Sequence, residues 1–542
     1  MAGCVPGPGR SRLLDATEFP ILRALGLTRG RLVTLSLVRV AAVTTAGGLM
    51  AVAVAVAASP LMPIGAARLA EPSPGVEVNL AILAAGFAAL AVVPLAALVP
   101  VAWRAAAQSR GPLGVAEPAT PPRVSRLGSA LGVAGSVTGG IGVRMAFEPG
   151  HGRTAVPVRS ALIGTTVAIA SVVAALIFGT SLIALVSTPH RYGQNWSQEL
   201  DLEFGEVPAA LGAKMLAAQP DITGYAQGNY GQLSIGTSHT IVPAIGIDPV
   251  HGRRFLTLLA GRPPVGSSEI VLGAQTMRTT GRRLGQTVQV VVNQVQALPG
   301  QSQASAAHTM RIVGVAVFPS FGRGTFSATS LGTGAAVSPS VLSAPFAQMP
   351  GCARRFICYN FFLVRYKPGT DVHAAAARLT AAETAAHIPP GCCTVTADQR
   401  PSDIKNYTGV RDTPLVLGAV LVLLAVGTLT HVLLTSVRRR RRDLAVLRTL
   451  GLLRSQMLWV VSWEAGALAA VALLVGLPLG VLAGRWAWTL FAGAAGVAGR
   501  ADIPVPLVLA AIPVTLVLAI AIAAGPGWAA ARLRPALILR SE

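Results

Sequence analysis

Five consecutive arginines, Arg438, Arg439, Arg440, Arg441 and Arg442, run directly into Asp443, Leu444, Val446, Leu447, Arg448, Leu450 and Gly451. Such a run supplies no nucleophile and no general base, so its chemistry is electrostatic. Guanidinium groups cost a few kcal/mol each to place in hydrocarbon and gain about 1 kcal/mol each beside anionic lipid headgroups. The five arginines therefore read first as an anchor at a membrane face. After them, Leu444, Leu447 and Leu450 with Val446 recur at helical spacing beside Asp443 and Arg448, which predicts a short amphipathic helix stopped at Gly451. A helix of this kind either rests in the lipid interface or docks in a groove of a partner.

Other reactive patterns are missing. A phosphate-cradling loop needs G-x-x-x-x-G-K-[ST], and the three lysines, Lys214, Lys367 and Lys405, have no such context. There is no H-E-x-x-H, no G-x-S-x-G and no histidine spacing for a metal, so no catalytic residue, metal or cofactor is expected in this chain. His431 stands in an apolar segment, where a single imidazole reads as structural. Glu464 and Arg39 also lie in apolar segments, where a charge normally faces a partner or water. Cys352, Cys358, Cys392 and Cys393 form a second candidate cluster. Their spacing is not the paired C-x-x-C of a zinc site, and two disulfides with three alternative pairings are the first reading, ahead of free thiols and of metal.

The elements that must carry these residues follow from composition. Hydrophobic residues make up 52% and charged residues only 12%, with a mean hydropathy of +0.59, which is too apolar for an ordinary soluble chain. The net charge of +22 comes with only 5% aromatics, which argues against nucleic acid as a partner. Six segments, 34–58, 79–103, 162–186, 414–436, 458–484 and 505–528, are long enough to cross a bilayer, which takes about 20 residues of helix. Pro94, Pro478 and Pro513 fall inside them, where neighbouring helices can satisfy the freed carbonyls. Residues 1–30 lack the apolar core of a cleavable signal.

Charge sets the expected orientation. Segments 1–33, 104–161, 437–457 and 529–542 hold 22 Lys/Arg against 6 Asp/Glu, whereas 59–78 and 485–504 together hold three of each. Because basic loops stay in the cytoplasm, the expected protein is a multi-pass cell-membrane protein with both termini cytoplasmic. Segment 187–413, with 18 basic and 12 acidic residues, is then an extracytoplasmic domain, an oxidising setting that suits its cysteines. Within it, "SEIVLG", "QTVQVVV", "MRIVGVAVF" and "FFLVRYKPG" predict strands, and "DVHAAAARLTAAETAAH" predicts a helix. The expected fold is thus a six-span α-helical membrane protein with a mixed α/β outer domain.

An internal repeat is visible as well. "EFPILRALGL" at 18–27 and "DLAVLRTLGL" at 443–452 share Leu-Arg-x-Leu-Gly-Leu at an offset of 425, Gly451 minus Gly26. The same offset pairs Glu77 with Asp502, Trp103 with Trp528 and Arg39 with Glu464. This offset makes 34–103 the two-span part of a first unit that is shorter at its front than the second, and it permits an Arg39–Glu464 ion pair across the two.

These residues resemble the FtsX-like permeases, the membrane subunits of MacB-type ABC transporters. The resemblance rests on "RRRRRDLAVLRTLGLLRSQM", Glu464, "GLPLG" at 476–480, "IPVP" at 503–506 and "ARLRPALILRSE". It is joined by "GVRMAFEPGHGRTAVPVRSALIG" and "TPHRYGQNW", similar to a two-unit subgroup, and by "IGIDP", "LAGRPPVGSSEIVLG" and "RIVGVAVFP" in the outer domain. It implies cytoplasmic segment 1–33, two spans in 34–103, a linker at 104–161, a span at 162–186, a MacB-like outer domain at 187–413 and an FtsX-like domain with three spans at 414–542. It implies a cytoplasmic ABC ATPase partner holding ATP and Mg, with membrane lipid and a second permease copy as further partners. Asp443, Leu444, Leu447, Arg448, Leu450 and Gly451 would then couple to the ATPase, with Leu22, Arg23, Leu25 and Gly26 as a second coupling element. Export of a hydrophobic, peptide or lipid-linked substrate is the function so implied. Activation of an extracellular cell-wall hydrolase, or a degenerate permease without transport, are the alternatives.

Overall fold

A computed structural model describes residues 26–61, 76, 78–108, 137–147, 158–201, 209–236, 240–252, 255–293, 307–319, 321, 330–343, 361–387, 394–397 and 400–532. Leu22, Arg23, Leu25, Cys352, Cys358, Cys392 and Cys393 lie outside these residues. The chain divides into two units, Met1–Val124 and Ser125–Glu542.

The first unit is a helical pair. Helix α1 (Arg29–Ala58) and α2 (Leu80–Gln108) pack through Val33, Leu37, Val40 and Leu95. The second unit opens with a short helix, α3 (Val137–Phe147), and the long α4 (Val158–Ser187).

Between α4 and the later helices lies the α/β domain. Its strands are β1 (Gln198–Asp201), β2 (Ile222–Ile235), β3 (Thr240–His251), β4 (Thr257–Gly261), β5 (Glu269–Gly273), β6 (Thr287–Asn293), β7 (His308–Val317), β8 (Ala335–Val337), β9 (Phe361–Tyr366) and β10 (Thr394–Ala397). Helices α5 (Ala209–Ala217), α6 (Ala274–Thr279), α7 (Pro339–Ser343) and α8 (Val372–Ala385) fill the connections. The strands form one mixed sheet in the order β10-β1-β9-β2-β3-β8-β5-β7-β4, with β6 bridging β2 and β7. Pairs β3–β8 and β5–β7 are parallel, and the other pairs are antiparallel. Alternation along the strands gives the sheet two apolar faces: on β5, Ile270 and Leu272 enter one core and Val271 the other.

All four strand segments expected from sequence form strands, as β5, β6, β7 and β9. The Ala-rich segment is α8, started by Asp371, whose Oδ1 accepts from the N–H groups of His373 at 2.9 Å and Ala374 at 3.3 Å. The long β2–β3 hairpin is an addition. "ITGYAQGNYGQLSI" carries three glycines and little alternation, so its strand character comes from pairing on both sides rather than from propensity.

The chain returns through α9 (Ser402–Val410) and α10 (Thr413–Arg439), then the short α11 (Arg441–Thr449), the 42-residue α12 (Arg454–Ala495) and α13 (Val505–Ala531). Among the described residues five helices are long and apolar enough to cross a membrane: Val33–Ala58, Leu162–Ser187, Ser402–Arg438, Arg454–Ala495 and Val505–Ala529. The expected sixth span, 79–103, falls in α2, whose apolar stretch among the described residues is Leu80–Ala96. The chain is a multi-pass membrane protein with a mixed α/β domain.

Helix α12 is the hub. Gly476, Gly480 and Gly484 recur every four residues on one face and lie against α4. A Cβ at Gly480 would sit 2.7 Å from the Ala170 carbonyl oxygen and 2.7 Å from Val173 Cβ. Small residues at this spacing let two backbones approach closely, which in lipid replaces hydrophobic drive with van der Waals contact. That is the physical content of the "GLPLG" segment. Near the other end of α12, α3 packs through Gly139, Gly142 and Ala146, and a Cβ at Gly142 would lie 2.5 Å from the Val460 carbonyl oxygen.

Candidate functional site

At one end of the bundle, α10, α11 and α12 form a tight reversal. Arg440, at φ −91° and ψ 18°, closes α10 and opens α11. The hydrogen-bond ladder continues through it: Arg440 N–H donates to Ser436 O and Leu444 N–H to Arg440 O, each at 2.9 Å. Asp443 in the first turn of α11 and Arg448 in its last oppose the helix dipole. Gly451, at φ +100°, stops the helix in a conformation that costs other residues about 1–2 kcal/mol. Leu453 N–H then donates to Gln456 Oε1 at 2.8 Å to start α12.

The structure divides the leucine stripe expected from sequence. Leu444 is 2% exposed and Ala445 is fully buried, both on the bundle side. Leu444 packs in the cluster of Leu433, Val437, Met457 and Val461, with Leu447 half-buried against it. The open side carries Val446, Leu450 and Leu453, at 43%, 74% and 64% exposure, with Asp443 exposed beside them. Leucines at i and i+3 straddle the boundary between core and surface, because a nine-residue helix lying against a bundle buries only a narrow strip. Gly26 has φ +92°, and the residue before α1, Thr28 (φ −74°, ψ 158°), has the dihedrals of Leu453 before α12 (φ −72°, ψ 159°).

The arginine run is divided too. Arg438 is exposed. Arg440 is only 5% exposed, which corrects its assignment to a membrane face. Its position at the bend, one turn after Ser436, turns it into the bundle. Glu464 is 4% exposed, and its Oε1 accepts from Ser436 Oγ at 2.6 Å. Ser436 is thus a hydrogen-bond partner of Glu464, and Arg39 belongs to the first unit, on α1. Sequence reasoning missed Ser436, although Glu464 and a hydroxyl on a neighbouring apolar helix were both visible.

The opposite end of α12 enters the α/β domain. Trp488 and Ala492 are fully buried with Leu182, Leu185, Tyr192, Val317, Leu331 and Ile404. Phe178 meets Trp488 and Phe491 edge-on at 5.8 and 5.5 Å. Arg278 Nη2 donates to the Ala494 carbonyl at 2.9 Å, satisfying an orphan acceptor in the last turn of α12. Leu331 N–H donates to Asp403 Oδ2 at 2.9 Å, Asp502 N–H to Ser181 Oγ at 2.9 Å, and Ala498 N–H to Arg191 O at 3.4 Å. This joint fastens the sheet domain to α4, α9 and α12. At about 1.5 Å per residue α12 is about 63 Å long, twice a hydrocarbon core of about 30 Å, so one continuous helix, with Pro478 inside it, reaches from the α11 reversal to the sheet.

Compared with known proteins, residues 415–535 match the FtsX-like permease C-terminal family, and residues 160–382 match the MacB-like periplasmic core domain family. An uncharacterised ABC transporter permease of Methanocaldococcus jannaschii is 29% identical over 126 residues, which are 23% of this chain and 31% of that relative. The chain thus spans about a third of that relative's length.

Proposed function

We propose that this chain, an ABC transporter permease of the FtsX/MacB type, takes force from a separate cytoplasmic ATPase at α11 and delivers it to the extracytoplasmic sheet domain. The observation that carries this reading is the continuity of α12, held against α11 at one end and built into the sheet joint at the other. ATP and Mg belong to the partner. The open face of α11, Val446, Leu450 and Leu453 with Asp443, is the docking surface, and Leu444 holds the helix to the bundle. The basic segments around α11 keep this end, and both termini, on the cytoplasmic side. The work done is extrusion of a hydrophobic, peptide or lipid-linked substrate, not passage of a solute through a catalytic pocket.

The test is co-purification of the chain with its ATPase from membranes, followed by measurement of ATP turnover with and without the permease. Val446→Asp together with Leu450→Asp is expected to abolish both association and stimulation while the protein still reaches the membrane. Normal stimulation by that double variant would overturn the docking assignment. Extrusion of a defined compound in cells separates transport from activation of a wall hydrolase, since only transport predicts compound retention when the double variant is expressed.

A further inference from the structure

The chain has seven tryptophans, and three of them, Trp459, Trp463 and Trp528, are 58%, 48% and 54% exposed near the α11 end of the bundle. The coupling function gives them no part. Helical geometry puts them on one face. A Cβ at Gly527 on α13 would lie 3.0 Å from Leu458 Cδ2 and 3.5 Å from Leu458 Cα on α12, so these two residues mark a line of contact between the helices. The start of α12 thus meets the end of α13. In such an antiparallel pair the residue after each contact turns by about 100° toward the same side. Trp459 and Trp528 therefore share that side, and Trp463, one turn on from Trp459, extends it toward α3, where a Cβ at Gly142 would lie 2.6 Å from Trp463 Cβ.

The face carries a cation. The Arg532 guanidinium lies 3.5 Å from the centre of the Trp528 ring, and Arg532 is exposed. Stacking engages the flat face of a guanidinium and leaves its N–H edge for the bidentate grip on a phosphate. Neither α3 nor α13 has an acidic residue, and α12 has only the buried Glu464, so no exposed carboxylate on these helices opposes an anion. The level fits a lipid headgroup as well. On α12, Trp463 and the 67% exposed Trp486 stand about 35 Å apart at about 1.5 Å per residue, close to a hydrocarbon core of about 30 Å. Both therefore sit where indoles collect at the two bilayer surfaces. Indoles alone accept any phospholipid. An arginine fixed among them favours one with net negative charge, by about fivefold.

We propose that this face binds an anionic phospholipid from the bilayer leaflet at the α11 end, with Arg532 on the phosphate and Trp459, Trp463 and Trp528 along the acyl chains. The site stands whether or not α11 meets an ATPase.

The experiment reads Trp528 in the full-length chain reconstituted in phosphatidylcholine bilayers. These contain either phosphatidylglycerol brominated near the top of its acyl chains or phosphatidylcholine brominated in the same way, at equal fractions. The fluorescence difference between wild type and Trp528→Phe isolates this indole, because bromine quenches only at short range. Brominated phosphatidylglycerol is expected to quench it with about fivefold higher apparent affinity than brominated phosphatidylcholine. Arg532→Gln is expected to bring that ratio close to one and Arg532→Lys to retain part of it. Arg485→Gln, beside Trp486 at the opposite level, is expected to leave it unchanged. Equal quenching by the two lipids in wild type would reduce the face to an unselective belt and overturn the site. Quenching by neither lipid would show that protein covers the face, and a ratio that survives Arg532→Gln would strip the arginine of its role; either result overturns the proposal too.

Discussion

Gly332 and Gly496 meet backbone to backbone: a Cβ on Gly332 would stand 2.8 Å from the Cα of Gly496. Gly496 closes the end of α12 at the sheet domain, and Gly332, in the loop before β8, also accepts from Gln275 N–H at 2.9 Å. Both have positive φ, 69° and 71°. Gly332→Val or Gly496→Val therefore adds left-handed strain to a clash between main chains, about 2–4 kcal/mol together. Thermal unfolding in detergent should fall accordingly, and a crosslink between residues 275 and 494 should lose yield. Wild-type yield would show that the joint does not depend on this contact.

The glycine stripe on α12 makes a second test. Gly480→Leu must displace Ala170 and Val173 on α4 and is expected to cost several kcal/mol or to prevent assembly. Gly493→Ala, with nothing within 4 Å of the added Cβ, should be neutral or stabilising by up to about 1 kcal/mol through helix propensity. Equal effects of the two on the melting temperature would contradict the packing described.

Leu444 and Leu450 separate stability from docking. Leu444→Ala opens a cavity in the bundle and is expected to cost about 2–4 kcal/mol. Leu450→Ala, at 74% exposure, should leave unfolding within about 0.5 kcal/mol of wild type while weakening ATPase binding. Chemical denaturation and a pull-down on the same preparations check both.

Two carboxylates in the sheet domain respond to pH in opposite senses. Burial on α8 pushes Glu383 up to about 7, so the folded state holds a proton that the unfolded chain releases above about 4.5. Stability contributed by this protonated form is intact below about pH 4.5, declines as pH rises and has gone above about pH 7. Glu383→Gln should flatten that decline, and a melting series from pH 4 to pH 8 measures it.

Hydrogen bonds from the Arg262 guanidinium hold Glu269 down at about 2. Arg262 Nη1 donates to Glu269 Oε2 at 2.7 Å, Nη2 donates to Oε1, and Val265 N–H donates to Oε2 at 3.0 Å. Its contribution is present above about pH 4.5 and is lost as pH falls through about 2. Hydrogen exchange at Val265 is expected to accelerate in Arg262→Ala at pH 7, and unchanged protection would dismiss the staple.

Composition and periodicity determined much of this protein. Apolar runs and retained arginines specify crossing helices, because a bilayer imposes length and charge rules that act locally. Four strands were likewise readable from β-branched runs, and "RRRRRDLAVLRTLGL" announced a short amphipathic helix. Tertiary structure decided the rest. Periodicity gives Leu444 and Leu450 the same standing, and only the packing of α10 and α12 buries one and exposes the other. Arg438 and Arg440 are chemically identical, and only the bend at Arg440 leaves the first exposed and buries the second. The long β2–β3 hairpin and the seam of Gly476, Gly480 and Gly484 are invisible to propensity, because their free energy comes from partners distant in the chain. Those contacts exist only once the helices and the sheet have been brought together.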